Sequence, residues 1–160
     1  MRDFTLQKLV IRNDLATLAE VRRAMWATQT TAHTWLEELV LTGGFDEARY
    51  LERVVKELRV PPCDVHRLAH VPAAVRALIP ADLAAEHRVV PLWLESDGDL
   101  RVVVADPTDR WALDEVQFFA GRRLLREVAA PTLLASALER YYGVPNVLAP
   151  LADAIHALAA

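Results

Sequence analysis

The stretch from Ile79 to Gly143 constrains this chain more than any other, because each segment in it carries its own start and stop chemistry. Val89 to Leu94 is an apolar run interrupted by Pro91, which suits an edge strand or a strand start. Ser96-Asp97-Gly98-Asp99 is turn chemistry, and Leu100, Val102 and Val104 then alternate with Arg101, Val103 and Ala105. The two runs predict an antiparallel hairpin. Asp106 and Pro107 suit the N-cap and first position of a helix whose apolar stripe is Ala112, Leu113, Val116, Phe119 and Ala120. Gly121 ends it, with Arg122 and Arg123 placed to favour a helix C-terminus. Leu124 to Val128 follows as a third strand, so the helix becomes a right-handed crossover covering one face of the sheet. Pro131 opens a last helix with Leu133, Leu134, Ala137, Leu138, Tyr141 and Tyr142 on one stripe, closed by Gly143.

Ahead of this unit lies an internal repeat with a 29-residue offset. Leu6 matches Trp35, Val10 and Ile11 match Leu39 and Val40, and Asp14 matches Gly43. Thr17 matches Asp46, both suited to N-caps, while Val21 matches Tyr50 and Met25 matches Val54. Each copy predicts a short helix, a turn at Asn13-Asp14 or Gly43-Gly44, and a longer helix. Two copies are too few for a stacked array, so two helical hairpins burying their stripes against each other are expected. Pro61-Pro62 marks the internal boundary. The expected organisation is a helical subdomain over 1–62, a connecting segment over 63–78, an αβ subdomain over 79–145 and a C-terminal amphipathic helix over 146–160. The fold class is α+β: a helical hairpin repeat, then a three-stranded sheet with packed helices.

The pieces Ile79-Pro80…Leu83-Ala84, His87-Arg88-Val89-Val90-Pro91-Leu92, Leu100…Val103-Val104-Ala105-Asp106-Pro107, Leu113-Asp114-Glu115-Val116…Phe119…Gly121 and Ala137…Glu139-Arg140-Tyr141-Tyr142-Gly143 together resemble a known family. It is the N-terminal domain of type II secretion and type IV pilus assembly ATPases. The resemblance implies a domain placed ahead of a motor and linking it to a platform or regulators. The repeat is similar to the cyclic di-GMP-binding module of some of these ATPases, with copies at 5–28 and 34–57 and a spacer at 29–33. That motif opens Arg-Leu-Gly and closes on Gln, whereas this chain opens Thr5-Leu6-Gln7 and Thr34-Trp35-Leu36 and closes on Thr28 and Glu57. Arginine supplies charge and bidentate hydrogen bonds to phosphate or guanine, and glycine permits close backbone approach. Thr, Gln and Leu do neither, and Glu57 repels an anionic dinucleotide. The ligand contacts are mostly lost, while the framework Leu6, Val10, Ile11, Trp35, Leu39, Val40 and Gly43 is the part a nucleotide-binding alternative would use.

Other chemistries are weakly represented. No glycine precedes a Gly-Lys-Ser/Thr, so no phosphate-cradling motor loop is present and the chain is not expected to be an enzyme. Cys63, His66 and His70 have a spacing that would permit three metal ligands on one helical face. A packed cysteine with two exposed histidines is the preferred reading, so neither metal nor cofactor is expected. Ser96 and Ser136, the only serines, lack a glycine elbow or an arranged histidine. The net charge of −4 argues against nucleic acid and anionic membranes, and the Arg122, Arg123 and Arg126 cluster is too small to alter that. One cysteine excludes an internal disulfide, and no apolar run reaches spanning length. Met1-Arg2-Asp3-Phe4 lacks signal-peptide character, so a cytoplasmic location is expected.

The expected function is a non-catalytic adaptor or regulatory domain that binds a protein of a secretion or pilus machine. Leu148, Leu151, Ile155 and Leu158 on the tail are the candidate partner-binding stripe. A terminal helix packed on its own domain is the preferred reading of this tail, and docking on a partner or on a second copy of the chain, as a homo-oligomer contact, is the sharper one. A cyclic di-GMP receptor is the alternative function.

Overall fold

Two threonines begin the helical half. Thr17 and Thr34 each accept a hydrogen bond from the amide three residues on, while Glu20 and Glu37 reach back to the cap amide, forming two capping boxes. They start α2 (Leu18–Ala27) and α3 (Trp35–Leu41) of the computed structural model, which describes residues 4–148. With α1 (Thr5–Arg12) and α4 (Glu47–Leu58) these give each repeat copy its expected short helix, turn and long helix, and the main helix packing here is α2 against α3, across the two copies. Leu6, Leu9 and Val10 of α1 meet Tyr50 and Val54 of α4 in one core.

The chain leaves α4 through Arg59, whose φ of 55° lies in the left-handed region. It then runs extended beside the sheet. The Cys63 amide donates to the Val128 carbonyl at 2.8 Å, and the Val128 amide donates to Pro61 at 3.0 Å. Two short helices, α5 (Val65–Ala69) and α6 (Ala73–Arg76), lead to α7 (Ala81–His87). The sheet has the order β1 (Val89–Leu94), β2 (Leu100–Val104), β3 (Leu124–Val128). β1 and β2 are antiparallel with Val89 opposite Val104, and the register shifts between Pro91 and Trp93, where proline cannot donate to the ladder. β2 and β3 are parallel, joined by the crossover helix α8 (Arg110–Ala120), and α9 (Pro131–Tyr142) follows.

The start of α8 differs from the sequence expectation. Asp106 does not cap it: its carboxylate accepts from the Thr108 amide at 2.8 Å and the Thr108 hydroxyl at 2.6 Å, closing a turn over Pro107. Asp109 is the N-cap instead, accepting from the Ala112 amide at 3.1 Å. Ala112 and Val116 are buried as expected, but Phe119 is 58% exposed. Gly121 and Gly143 end α8 and α9 in the left-handed conformation. Arg88 ends α7 in that same conformation without being glycine, at φ 51°. Its guanidinium supplies what holds it there, donating to the carbonyls of Ala85 and Ala32 and lying 3.3 Å from the Glu37 carboxylate.

The core is continuous from α1 through the strands to α9. Polar contacts cross between the halves at several points. The fully buried Tyr50 donates its hydroxyl to the Ala105 carbonyl at 2.5 Å. Burial foremost, with the Asp106 charge, raises that phenol's pKa well above its ordinary value. Glu47 accepts from the Thr132 amide and hydroxyl at 2.8 and 2.7 Å. Leu148 is fully buried beside Val40 and Ala135. The rest of the candidate partner stripe, Leu151, Ile155 and Leu158, lies outside the described residues. Among the described residues no helix is long and apolar enough to cross a membrane.

Candidate functional site

A cleft of about 980 Å³ separates the first helical hairpin from the αβ unit. One wall is built from Phe4, Gln7, the α2 residues Arg22, Met25 and Trp26, and the α2–α3 connection through Leu36. The other comes from the end of α7, the end of β2, the start of α8 and the α9 residues Leu134, Ala135 and Leu138. The capping boxes fix the first wall, because they set where the chain leaves one helix and enters the next. The Arg88 contacts and the Asp106 turn fix the second.

The two walls carry different groups. Trp26 and Trp111 are 72% and 70% exposed, so each offers an indole face that the core does not use. Arg22 and Arg110 line the cleft and take part in no ion pair among the described residues. The Gln7 side-chain oxygen is buried and accepts no hydrogen bond from the described residues. His33 sits 2.6 Å from Glu38, and His87 Nε2 sits 2.9 Å from Glu115, with Trp111 edge-on to the His87 ring at 5.5 Å. Convergent polar groups and open aromatic faces in one concavity are the ordinary make-up of a small-ligand site.

The repeat residues divide between this cleft and the core. Leu6, Val10 and Leu39 are core residues, Ile11 is half-buried against them, and Val40 packs with Ala135 and Leu148. Gly43 holds φ 80° with open space where a Cβ would project. Trp35 lines the cleft, and so do Gln7, Thr34, Leu36 and the first closing residue, Thr28. The second closing residue, Glu57, does not. It accepts from Arg12 and Asn13, each at 2.8 Å, and those two hydrogen bonds hold its carboxyl below the usual carboxylate range. The cleft therefore gathers the second motif opening, one residue of the first and one close. Its opposite wall, Glu86 to Val89 and Arg110 to Leu113, carries no repeat signal, and sequence spacing gave no way to find it.

Cys63, His66 and His70 stay apart as ligands. Cys63 is half-buried beside β3, and burial first, then Glu127 and Asp64, pushes its thiol up to about 12. A thiol so disfavoured as thiolate is a poor nucleophile. His66 and His70 are exposed on and just past α5 with rings 5.4 Å apart. Among the described residues, the one group whose ligating atoms all lie within 4.8 Å of one another is Glu86, His87 and Glu115.

Comparison with known proteins adds a family to this geometry. The profile of the MshEN domain matches residues 58–147, more than half of the chain. The type IV pilus assembly ATPase PilB of Myxococcus xanthus is 28% identical over 137 residues, 86% of this chain and 24% of that protein. PilB of Thermus thermophilus is 31% identical over 108 residues, 67% of this chain and 12% of that protein. The chain thus spans about a quarter or less of the length of these relatives. Among solved structures, the N-terminal domain of XpsE superposes with a TM-score of 0.66 at 23% identity, covering 89% of this chain and 99% of that one. The structure of MshE with cdg gives 0.58 at 24% identity, covering 86% and 98%. Both share the fold.

Proposed function

Because the chain belongs to the MshEN domain family, we propose that it is a non-catalytic adaptor and regulatory domain of a type IV pilus or type II secretion machine, acting on the cytoplasmic side. The observation that carries this reading is the set of exposed aromatics along α8. Trp111, Phe118 and Phe119 are 70%, 80% and 58% exposed on one helix that also bears the cleft. Exposed aromatics in such a group are the usual anchors of a protein interface. The partner is the motor segment of a pilus or secretion ATPase. The sequence itself supports the non-catalytic part, since it contains no Gly-Lys-Ser/Thr. Sedimentation of the full chain with a purified motor segment of the same organism tests this. The Trp111→Ser/Phe118→Ser variant, with an unchanged circular dichroism spectrum, should lose at least roughly tenfold in affinity. Binding that ignores the substitution, or no binding by the parent chain, sinks the proposal.

A second reading is favoured by a separate observation: Gln7 of the first motif opening, the whole second opening and Thr28 line one cleft that also holds Arg22, Arg110 and three tryptophans. That cleft would receive cyclic di-GMP, stacking guanine on indole and setting phosphate against guanidinium. Isothermal titration should then show micromolar heat that disappears with Trp35→Ala or Arg22→Ala. Absence of heat from the parent chain rejects it.

A further inference from the structure

We infer that Glu86, His87 and Glu115 form a binding site for a first-row divalent transition cation, with Zn²⁺ the best fit. The site joins the last turn of α7 to the middle of α8. The His87 side chain is only 6% exposed, and its Nε2 already lies 2.9 Å from the Glu115 carboxylate, so two ligands are positioned by packing. Trp111 packs edge-on against the His87 ring at 5.5 Å and limits its rotation. Glu86 is exposed and has no hydrogen bond or ion pair of its own among the described residues, yet its carboxylate is within 4.8 Å of the other two ligating atoms.

Charge separates this trio from an ordinary structural ion pair. Two carboxylates face one imidazole, so negative charge remains in excess whether or not the ring is protonated. The neighbouring Arg88 does not offset it, because that guanidinium is engaged by Glu37 and the carbonyls of Ala85 and Ala32. A dication supplies the missing positive charge. One imidazole nitrogen with two carboxylate oxygens suits Zn²⁺, which takes such ligands at about 2.0–2.2 Å and leaves a fourth position for water. Ca²⁺ and Mg²⁺ prefer oxygen-only sets with more ligands. Rotation of the exposed Glu86 side chain closes the remaining distance. The fourth position opens beside the cleft, which Glu86 and His87 both line.

The test is titration of the EDTA-treated full chain with Zn²⁺, and with Co²⁺ for the visible spectrum of low-coordinate cobalt. One ion per chain is expected, with Glu86→Gln and Glu115→Gln each weakening it by roughly tenfold or more. Glu86→Gln is the decisive variant, because an exposed, unpartnered side chain contributes nothing to the α7–α8 packing and its loss leaves the fold intact. His66→Ala/His70→Ala is the control for adventitious binding at the other histidine pair and should leave the affinity unchanged. The inference is overturned by binding that survives Glu86→Gln unweakened, by binding that vanishes with the His66/His70 control, or by no uptake at all.

Discussion

The two copies of the repeat share a skeleton and differ in what surrounds them. Each short helix ends on a left-handed residue, Asp14 in the first copy and Gly43 in the second. Each long helix begins with a side chain that accepts from the amide three residues on, Thr17 from Glu20 and Asp46 from Arg49. Val21 and Tyr50 then occupy the same buried position. Beyond that the copies diverge. The long helix of the first copy contributes Arg22, Met25 and Trp26 to the cleft. The long helix of the second is tied to the sheet unit, through Tyr50 to Ala105 and Glu47 to Thr132. Repetition thus fixed the turns and caps, while proximity to the sheet made one copy a wall and the other an anchor.

That division predicts unequal costs for matched truncations. Tyr50→Ala removes a fully buried ring and leaves the Ala105 carbonyl unpaired, and about 3–5 kcal/mol of stability should be lost. Val21→Ala, its repeat counterpart, removes less apolar volume and no hydrogen bond, so about 2 kcal/mol is expected. Urea unfolding of the two variants measures both. Equal losses would break the comparison, since they would mean that the second hairpin is no better anchored than the first.

Much of this architecture was open to sequence reasoning, because its signals are local. The Ser96–Asp99 turn, the period-two strands, Pro131 and Gly143 each act within a few residues, and the elements fall where they indicate. The helix start at Asp109 was missed because two aspartates compete there, and the chain closes a turn on Asp106 before capping with Asp109. The helix ends at Arg59 and Arg88 were missed for the opposite reason. Neither is glycine, and Arg88 is held in place by Glu37, 51 residues away in the chain. The same limit applies to the candidate sites. The repeat pointed to Trp35, but not to the wall that faces it. The trio Glu86, His87 and Glu115 has no recognisable spacing and exists because α7 packs beside α8.

The turns sharpen the comparison at a smaller scale. Gly43→Ala forces a Cβ into φ 80°, where the cost is roughly 1–2 kcal/mol although the surrounding space is empty. Asp14→Gly should change stability by less than about 1 kcal/mol, because relief of a φ of 56° is offset by added freedom in the unfolded chain. In the first copy the Leu15 amide also donates to Val10 at 3.0 Å and the Asp14 amide to Ile11 at 3.1 Å, so the helix end is fastened without glycine. Thermal melts of the two variants should therefore move by different amounts, and a destabilised Asp14→Gly would show that the Asp14 side chain does more than tolerate its backbone.

The smallest expected effect lies where the copies touch. Glu57 closes the second copy but accepts from Arg12 and Asn13 at the end of the first short helix, each at 2.8 Å. The Arg12 hydrogen bond first, and the Asn13 one next, lower its pKa in the folded protein. The unfolded chain thus takes up the Glu57 proton at a higher pH than the folded one. The stabilisation is complete above the unfolded carboxylate value and fades as pH falls through the lowered folded value. Because the Arg12 side chain is 61% exposed, solvent screening keeps the pair below about 1 kcal/mol. Glu57→Gln should cost that much at neutral pH and converge on the parent chain in acid. A cost that persists undiminished in acid would assign the stabilisation to Glu57's packing and Asn13 contact, with the ionised pair contributing nothing to joining the two copies.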